Sequence, residues 1–578
     1  MTTRESIADT LENIALLLEL KGENPFKVRA YRTGAEIVAT YSGDIIRKAK
    51  DNDLGDTKGI GKALAEKLNE IATTGKLGYY EKLRAEFPET IFDLFEISGL
   101  GPKKIKALYD KLNVVSIADL EKVCKSGDAA QLPGFGAKSS QKILDAIDFR
   151  RQHADQFRYG DVADSAERIL AALHEHPDTM KAAIAGSYRR GKEVLHDLDF
   201  IVSTEHPEAI MSLFVEMPEV ARISVQGSTK STVFLDSGLQ CDLRTISAEE
   251  YPFALNYFTG SKEHNIAMRS RALKLGYTLN EYRLTPAGDK KPQPLHRKPI
   301  RTEEDLYAAL SLDLIPPALR ENTGEIEVSE KGELPSLVKL EDLRGTFHNH
   351  TTASDGKCSL QEMADAAREL GLEYLGISDH SKSSFQANGL DAGQLLAQAE
   401  EIRRLNDTFG KEFKLFTGVE CDILKDGSLD YPDEVLGQLD YVVASVHNAF
   451  TLPEDEMTAR IISAVENPHI TMLGHLTGRL LLTREPYAVD VTKVIDACAA
   501  NATIIEINAN PRRLDMDWRW WKHAREKGVK CSINPDAHHT AHLQFLKFGV
   551  NIAQKGWLTS GDIINCLPLN EVRKALNA

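Results

Sequence analysis

The chain has 578 residues, too many for one hydrophobic core, so several domains are expected. Its net charge of −16 at first argues against a nucleic-acid partner, yet residues 1–150 carry 23 basic and 23 acidic side chains, which places the acidic excess further along. Seven cysteines without CxxC spacing exclude a disulfide framework and a zinc ribbon and are read as packing residues of a reducing compartment, while apolar runs such as Ile14 to Leu18 end in charge and predict neither a membrane span nor a secretory signal.

The first 150 residues repeat a glycine–apolar–glycine turn ahead of an amphipathic helix. The copies are Lys58-Gly59-Ile60-Gly61, Ser98-Gly99-Leu100-Gly101 and Pro133-Gly134-Phe135-Gly136. Each glycine pair allows a tight turn that points the first helical amides outward with the positive end of the helix dipole, a grip on phosphates indifferent to base sequence. One such loop is an ordinary interhelical turn. Three at similar spacing predict helix-hairpin-helix motifs that touch DNA at Gly59, Gly61, Gly99, Gly101, Gly134 and Gly136. Clusters such as Lys27, Arg29 and Arg32, or Lys103, Lys104 and Lys106, then steer phosphates. Without the adjoining loops each would be a solvated helix face.

Further on stand Gly186-Ser187-Tyr188-Arg189-Arg190-Gly191-Lys192, then Asp197-Leu198-Asp199 and Cys241-Asp242-Leu243-Arg244. Apolar neighbours mark both acidic segments as strands, so Asp197 and Asp199 share a face, and Asp242 joins them if its strand lies alongside. Three carboxylates would then converge without a nearby cation to neutralise them, a cluster that calls for divalent metal. Gly186 and Gly191 let backbone amides approach a polyphosphate, to which the Ser187 hydroxyl and the Arg190 guanidinium donate. The pattern suits in-line nucleotidyl transfer to a 3′-hydroxyl with two Mg²⁺ or Mn²⁺ ions.

This segment resembles the nucleotidyltransferase palm of family X DNA polymerases, and the likeness continues through Tyr257-Phe258-Thr259-Gly260-Ser261, Asn265, Arg269 and Asn280-Glu281-Tyr282. The resemblance implies that Asp197, Asp199 and Asp242 bind the catalytic ions and that Ser187 and Arg190 hold the triphosphate. It makes the turn from Tyr257 and Phe258 to Gly260 a sugar-discriminating element. Asn265 and Arg269 would test the nascent pair from its minor-groove side. Lys262 and His196 stand where vertebrate repair members carry Asp and Gly. The same resemblance places Lys67 at the Schiff-base position of a 5′-deoxyribose-phosphate lyase, with Lys27 and Tyr31 in a phosphate pocket, although Gly78 and Tyr79 replace basic residues there.

Residues 326–340, with Glu327, Glu330, Lys331 and Glu333 ahead of Pro335, read as a linker. Beyond them seven short apolar runs end in metal-capable residues: Thr346 to His350, Tyr374 to His380, Leu415 to Glu420, Tyr441 to His447, Ile470 to His475, Ile504 to Asn508 and Cys531 to His538. Helical text lies between them, which describes a barrel with its active site at one rim. This half resembles the polymerase and histidinol phosphatase (PHP) domain. The resemblance makes His348, His350, Asp355, His380, Glu420, His447, His475, Asp536 and His538 the ligands of up to three ions, with Zn²⁺, Mn²⁺ or Fe²⁺ suiting nitrogen and oxygen donors and Glu420 bridging. Several ions at one rim imply phosphoester hydrolysis, with Arg479 and Arg512 as candidates to neutralise the phosphate.

The expected architecture is multidomain. α-Helical helix-hairpin-helix domains (1–80, lyase-like, and 81–150) precede an α+β nucleotidyltransferase palm (151–258), a thumb (259–325), the linker and a distorted (β/α)7 PHP barrel (341–578). The expected protein is a bacterial-type, cytoplasmic, nucleoid-associated and monomeric repair polymerase. It fills short gaps in gapped or primed DNA from deoxynucleoside triphosphates during base excision repair, with 3′→5′ exonuclease or end-processing activity in the barrel. Two alternatives stand beside it: a barrel acting as a small-molecule phosphatase, and a DNA-structure binder with an idle palm.

Overall fold

In the computed structural model the described residues are 4–41, 45–55, 57, 59–97, 100–288 and 299–576. Of the expected hairpin residues, Lys58, Ser98 and Gly99 lie outside them. The chain forms two compact units, Met1–Ala154 and Asp155–Ala578, except that Leu482–Arg484 group with the first.

The first unit is helical around a core that includes Leu11, Ile14, Leu18, Leu68, Ile105 and Ile147. Gly61, Gly101 and Gly136 cap the helices Lys62–Thr74, Pro102–Leu112 and Ala137–Gln152 without any side-chain hydrogen bond. The first N–H groups of these helices therefore lack an N-cap side-chain acceptor, and a Cβ on any of the three glycines would meet nothing within 4 Å. Gly59 and Gly134 adopt φ of +88° and +82°, which fixes glycine at the turn. Between the glycines Ile60, Leu100 and Phe135 are buried and anchor each loop.

In the second unit a short pair, β1 (Phe157–Arg158) with β3 (Val194–Leu195), leads into a five-stranded sheet. The sheet comprises β2 (Lys181–Ile184), β4 (Asp197–Ser203), β5 (Val220–Gln226), β6 (Lys230–Leu235) and β7 (Gln240–Ile246), in the order β2-β4-β7-β6-β5. Only the β4–β7 pair within it is parallel. Along β7 Cys241, Leu243 and Thr245 point into the core while Gln240, Asp242 and Arg244 take the other face, so alternation fixes which side carries chemistry. The helices Tyr251–Thr259, Lys262–Lys274 and Glu303–Ala309, with the hairpin β8 (Tyr277–Leu279) and β9 (Leu284–Pro286), surround a separate small core.

The expected linker is instead folded. A helix spans Glu325–Glu330, and Ile326, Ser329 and Val338 are buried. Polar composition misled because Glu325 is itself buried, accepting from His264 Nδ1 (2.8 Å) and from the backbone N–H groups of Asn322 and Thr323.

The barrel strands are β10 (Gly345–Thr346), β11 (Tyr374–Ile377), β12 (Lys414–Thr417), β13 (Glu420–Asp422), β14 (Val443–Ser445), β15 (Met472–Leu473), β16 (Ile504–Asn508) and β17 (Cys531–Asn534). All ladders are parallel, in two sheets, β10-β11-β12 and β13 to β17 in order. The third expected run breaks at Gly418, where a Cβ would come within 2.3 Å of the Tyr441 ring, and so yields two strands. Single bridges His380–Glu420 and Asn349–Ala537 join the sheets and close the ring. Among the described residues no helix is long and apolar enough to cross a membrane, and the cysteines are free, with Cys421 and Cys531 fully buried.

Candidate active sites

The β4–β7 register sets Asp199 beside Asp242 and Asp197 beside Gln240, so all three aspartates share one face. Burial, then the charges of Asp197 and Asp242, push the Asp199 carboxyl up to about 7 against the opposing pull of Arg244 and Arg190. Burial and Asp242 raise Asp197 as well. A cluster that resists ionisation in this way is stabilised by cations. Contrary to the sequence expectation, one cation is close: Lys230 Nζ lies 3.2 Å from Asp242 Oδ2. Lys230 sits on β6, whose Thr232 pairs with Asp242, a neighbour that only the sheet order reveals.

Beside the aspartates opens a cleft of about 510 Å³ lined by Gly186, Ser187, Arg190, Tyr257, Phe258, Gly260, Asn265 and Arg269, and also by Lys262 and His196. Gly186 (φ +60°) belongs here for want of space, since a Cβ would fall 2.2 Å from Asp199 Oδ2. Gly191 does not line the cleft; its α-carbon faces Asn551, whose Cβ would be 3.4 Å from an added one. Asn265 Nδ2 donates to the Tyr257 carbonyl at 2.7 Å, which fixes the turn. Arg190 is held by Glu321 (Nε to Oε1, 3.0 Å) and by the Thr259 carbonyl.

At the barrel rim, eight of the nine expected ligands fall into three overlapping groups: His350, Asp355, His380 and His538; His348, His350 and Asp536; His380, Glu420 and His447. His475 completes the set by placing Nε2 2.9 Å from Glu420 Oε1. Glu420 is central. Its Oε1 also faces His348 Nε2 (3.3 Å) and His447 Nε2 (3.1 Å), while Oε2 faces His380 Nδ1 (2.9 Å) and His350 Nε2 (3.7 Å). Burial opposes its charge, yet His447, His348 and His380 hold it well below the usual carboxylate range. Burial with the neighbouring His538 and His380 pulls His350 down to about 4.

The donor set fits divalent metal. Buried Nε2 of His348, both ring nitrogens of His350, Nδ1 of His380 and of His475, and Oε2 of Glu420 have no hydrogen-bond partner among the described residues. No sulfur joins the groups.

Several supporting residues escaped the sequence reading. Glu506 lies behind the ligands, accepting from His348 Nδ1 (2.7 Å) and the His475 N–H (2.7 Å), so that His348 presents Nε2 to the centre. Asp422 accepts from His447 Nδ1. Asp379 accepts from the N–H (2.8 Å) and Oγ1 (2.6 Å) of Thr351, and so steadies the loop after His350. A signal existed for two of them, since Glu506 shares a strand face with Asn508 and Asp422 with Glu420. The two candidate arginines sit differently. Arg479 is buried against Asp517 (2.6 Å) and the Arg513 carbonyl (3.0 Å), Arg512 is exposed, and it is Arg513 that reaches Asp536 Oδ2 (3.4 Å).

In the first unit Lys67, Lys27 and Tyr31 gather around Tyr79. The two ammonium groups lie 5.2 and 5.8 Å from its ring centroid, and Tyr31 stacks on it at 6.0 Å. Lys67 Nζ donates to the Ala63 carbonyl at 3.3 Å.

Family models match in four places: "Helix-hairpin-helix domain" at 2–77, "SAM-like Helix-hairpin-helix tandem" at 91–148, "DNA polymerase beta thumb" at 254–321 and "PHP domain" at 346–510. The chain is 37% identical over 575 residues to the DNA polymerase/3′-5′ exonuclease PolX of Bacillus subtilis (strain 168), covering 99% of each. It is 28% identical over 230 residues to a probable phosphatase of Thermoanaerobacter sp. (strain X514), 38% of this chain and 88% of that protein. A probable phosphatase of Acetivibrio thermocellus is 30% identical over 201 residues, 33% of this chain and 78% of that protein. With aspartates in register beside a glycine turn, an imidazole-rich barrel rim and a relative matched from end to end, the chain belongs to the family X DNA polymerases that carry a C-terminal PHP domain.

Proposed function

We propose that this enzyme fills short gaps during DNA repair of the base-excision type and trims or cleans the 3′ end with its second site. The observation that carries the reading is the parallel pairing that sets Asp199 against Asp242 with Asp197 on the same face, beside the Gly186 turn. In this reading Asp197, Asp199 and Asp242 hold Mg²⁺ or Mn²⁺. Divalent ions there supply positive charge against the attacking 3′-oxygen and the departing pyrophosphate. Ser187 and Arg190 orient the triphosphate, the Tyr257–Gly260 turn excludes the wrong sugar, and Asn265 and Arg269 probe the minor-groove side of the new pair. The hairpin glycines and Lys27 hold the DNA backbone without reading sequence.

At the barrel rim the nine ligands His348, His350, Asp355, His380, Glu420, His447, His475, Asp536 and His538 hold Zn²⁺, Mn²⁺ or Fe²⁺, up to three ions, and Arg513 lies close enough to meet a substrate phosphate. The substrates are gapped or primed DNA and deoxynucleoside triphosphates, and the protein works as a cytoplasmic monomer on the nucleoid. The test is extension of a labelled primer on a short 5′-phosphorylated gap and on an open template, with Mn²⁺ present. Faster extension on the gap, with shortening of the primer when nucleotides are withheld, is expected. Equal rates on both would remove the gap-filling reading.

The probable phosphatases among the relatives favour a second reading of the barrel, hydrolysis of small phosphomonoesters. Release of phosphate from such esters without primer shortening would support it.

A further inference from the structure

Lys555 ends the barrel helix Leu546–Lys555, and its side chain is fully buried against the palm side of the molecule. Its ammonium lies 2.8 Å from Glu321 Oε1 and 3.2 Å from the carbonyl oxygen of Arg190, and 4.6 Å from the centroid of the Trp518 ring. That same Glu321 oxygen accepts from Arg190 Nε at 3.0 Å. One carboxylate oxygen therefore serves two cations, one from the barrel and one from the nucleotide cleft.

We propose that Lys555 is a positioning residue for polymerisation: it keeps Glu321 paired so that Arg190 can leave it for the incoming triphosphate. The inference rests on the reading of Arg190 as a triphosphate ligand.

Glu321 is about as buried as Arg190, and a buried carboxylate stripped of its last cation is costly. If Arg190 were its one partner, turning toward a phosphate would leave that charge bare. With Lys555 in place the charge stays paired, and repulsion between the two cations loosens the Arg190–Glu321 contact beforehand. Burial pulls the Lys555 ammonium below its ordinary range against the opposing pull of Glu321, while for Glu321 the cost of burial is outweighed by Lys555 and Arg190. Glu193, which accepts from Trp518 Nε1 (3.2 Å) and Arg519 Nη1 (3.2 Å), adds negative charge nearby and secures the indole over which Lys555 lies. The barrel thus contributes a charge to the polymerase cleft without lining it.

The test uses the full chain on primed template, with kcat and KM for the nucleotide measured separately. Lys555→Met is expected to raise KM on the order of tenfold, the effect of one charge-assisted hydrogen bond, with kcat changed less than about twofold. Adding Glu321→Gln in that background is expected to restore KM, because a neutral partner releases Arg190, and Glu321→Gln alone should leave KM unchanged or lower it. Lys555→Arg should behave like the parent. Retained 3′ hydrolysis and a single cooperative thermal transition show that the barrel is folded.

If Arg190→Ala raises KM while Lys555→Met leaves it unchanged, the proposal is overturned and the reading of the cleft survives. A rise that Glu321→Gln does not relieve also overturns it, since a purely structural role predicts that. An unchanged KM in Arg190→Ala removes the reading of the cleft and the proposal with it.

Discussion

Replacing Glu506 by Gln tests how far the barrel's metal affinity depends on a carboxylate outside the nine expected ligands. Each Glu506 oxygen serves two donors: Oε1 takes His348 Nδ1 (2.7 Å) and Asn534 Nδ2 (3.0 Å), Oε2 takes the His475 N–H (2.7 Å) and Asn508 Nδ2 (3.3 Å). A glutamine must put its NH₂ on one side. The His475 donor is backbone and cannot turn, so the NH₂ goes to the His348 side, where two donors then face each other. His348 is relieved only by moving its proton to Nε2, the atom that points at Glu420 and Asp536. Loss of one hydrogen bond to a charged group is worth about 1.5–3 kcal/mol, or roughly 10- to 100-fold in metal affinity. The assay is equilibrium dialysis of Mn²⁺ together with the Mn²⁺ dependence of 3′ hydrolysis in the full chain, with primer extension as the folding control. Affinity within about twofold of the parent would refute the reasoning that Glu506 sets the His348 tautomer.

Other expectations follow from the same geometry. Gly186→Ala forces a methyl group to 2.2 Å from Asp199 Oδ2, so primer extension should fall by roughly hundredfold, as for a misplaced catalytic group, while 3′ hydrolysis in the same sample is unchanged. His264 is held below its ordinary value of 6.5, first by burial, so the unfolded chain binds the proton more readily. Its contribution to stability is complete above 6.5 and is lost as pH falls from there through the lower folded value. The melting temperature of the parent should therefore drop more steeply than that of His264→Gln over that window, and parallel curves would contradict it. A borohydride-trapped adduct to a 5′-deoxyribose end should disappear in Lys67→Ala; an adduct that survives excludes Lys67 as the nucleophile.

Much of the chemistry was legible because it obeys local periodicity. Asp197 and Asp199 are two apart on β4 and share a face in any register, His348 and His350 keep the same spacing in the extended segment just past β10, and the glycine turns declare themselves by residue type. What escaped depends on partners distant in sequence. Trp518 donates to Glu193 across 325 positions, and Lys555 reaches Glu321 across 234. Lys230 neighbours Asp242 only because β6 pairs with β7, and Arg513 rather than Arg512 faces the metal ligands through a turn that no spacing rule specifies. Glu325 shows the opposite failure, an acidic residue in polar text that is buried because it satisfies His264 and two backbone amides.

Separate centres for adding and removing nucleotides are the core of the account, and one labelled primer tests them with two variants. Asp242→Ala should abolish extension and leave 3′ shortening intact, and His348→Ala should do the reverse. Loss of both activities from either single change would contradict it.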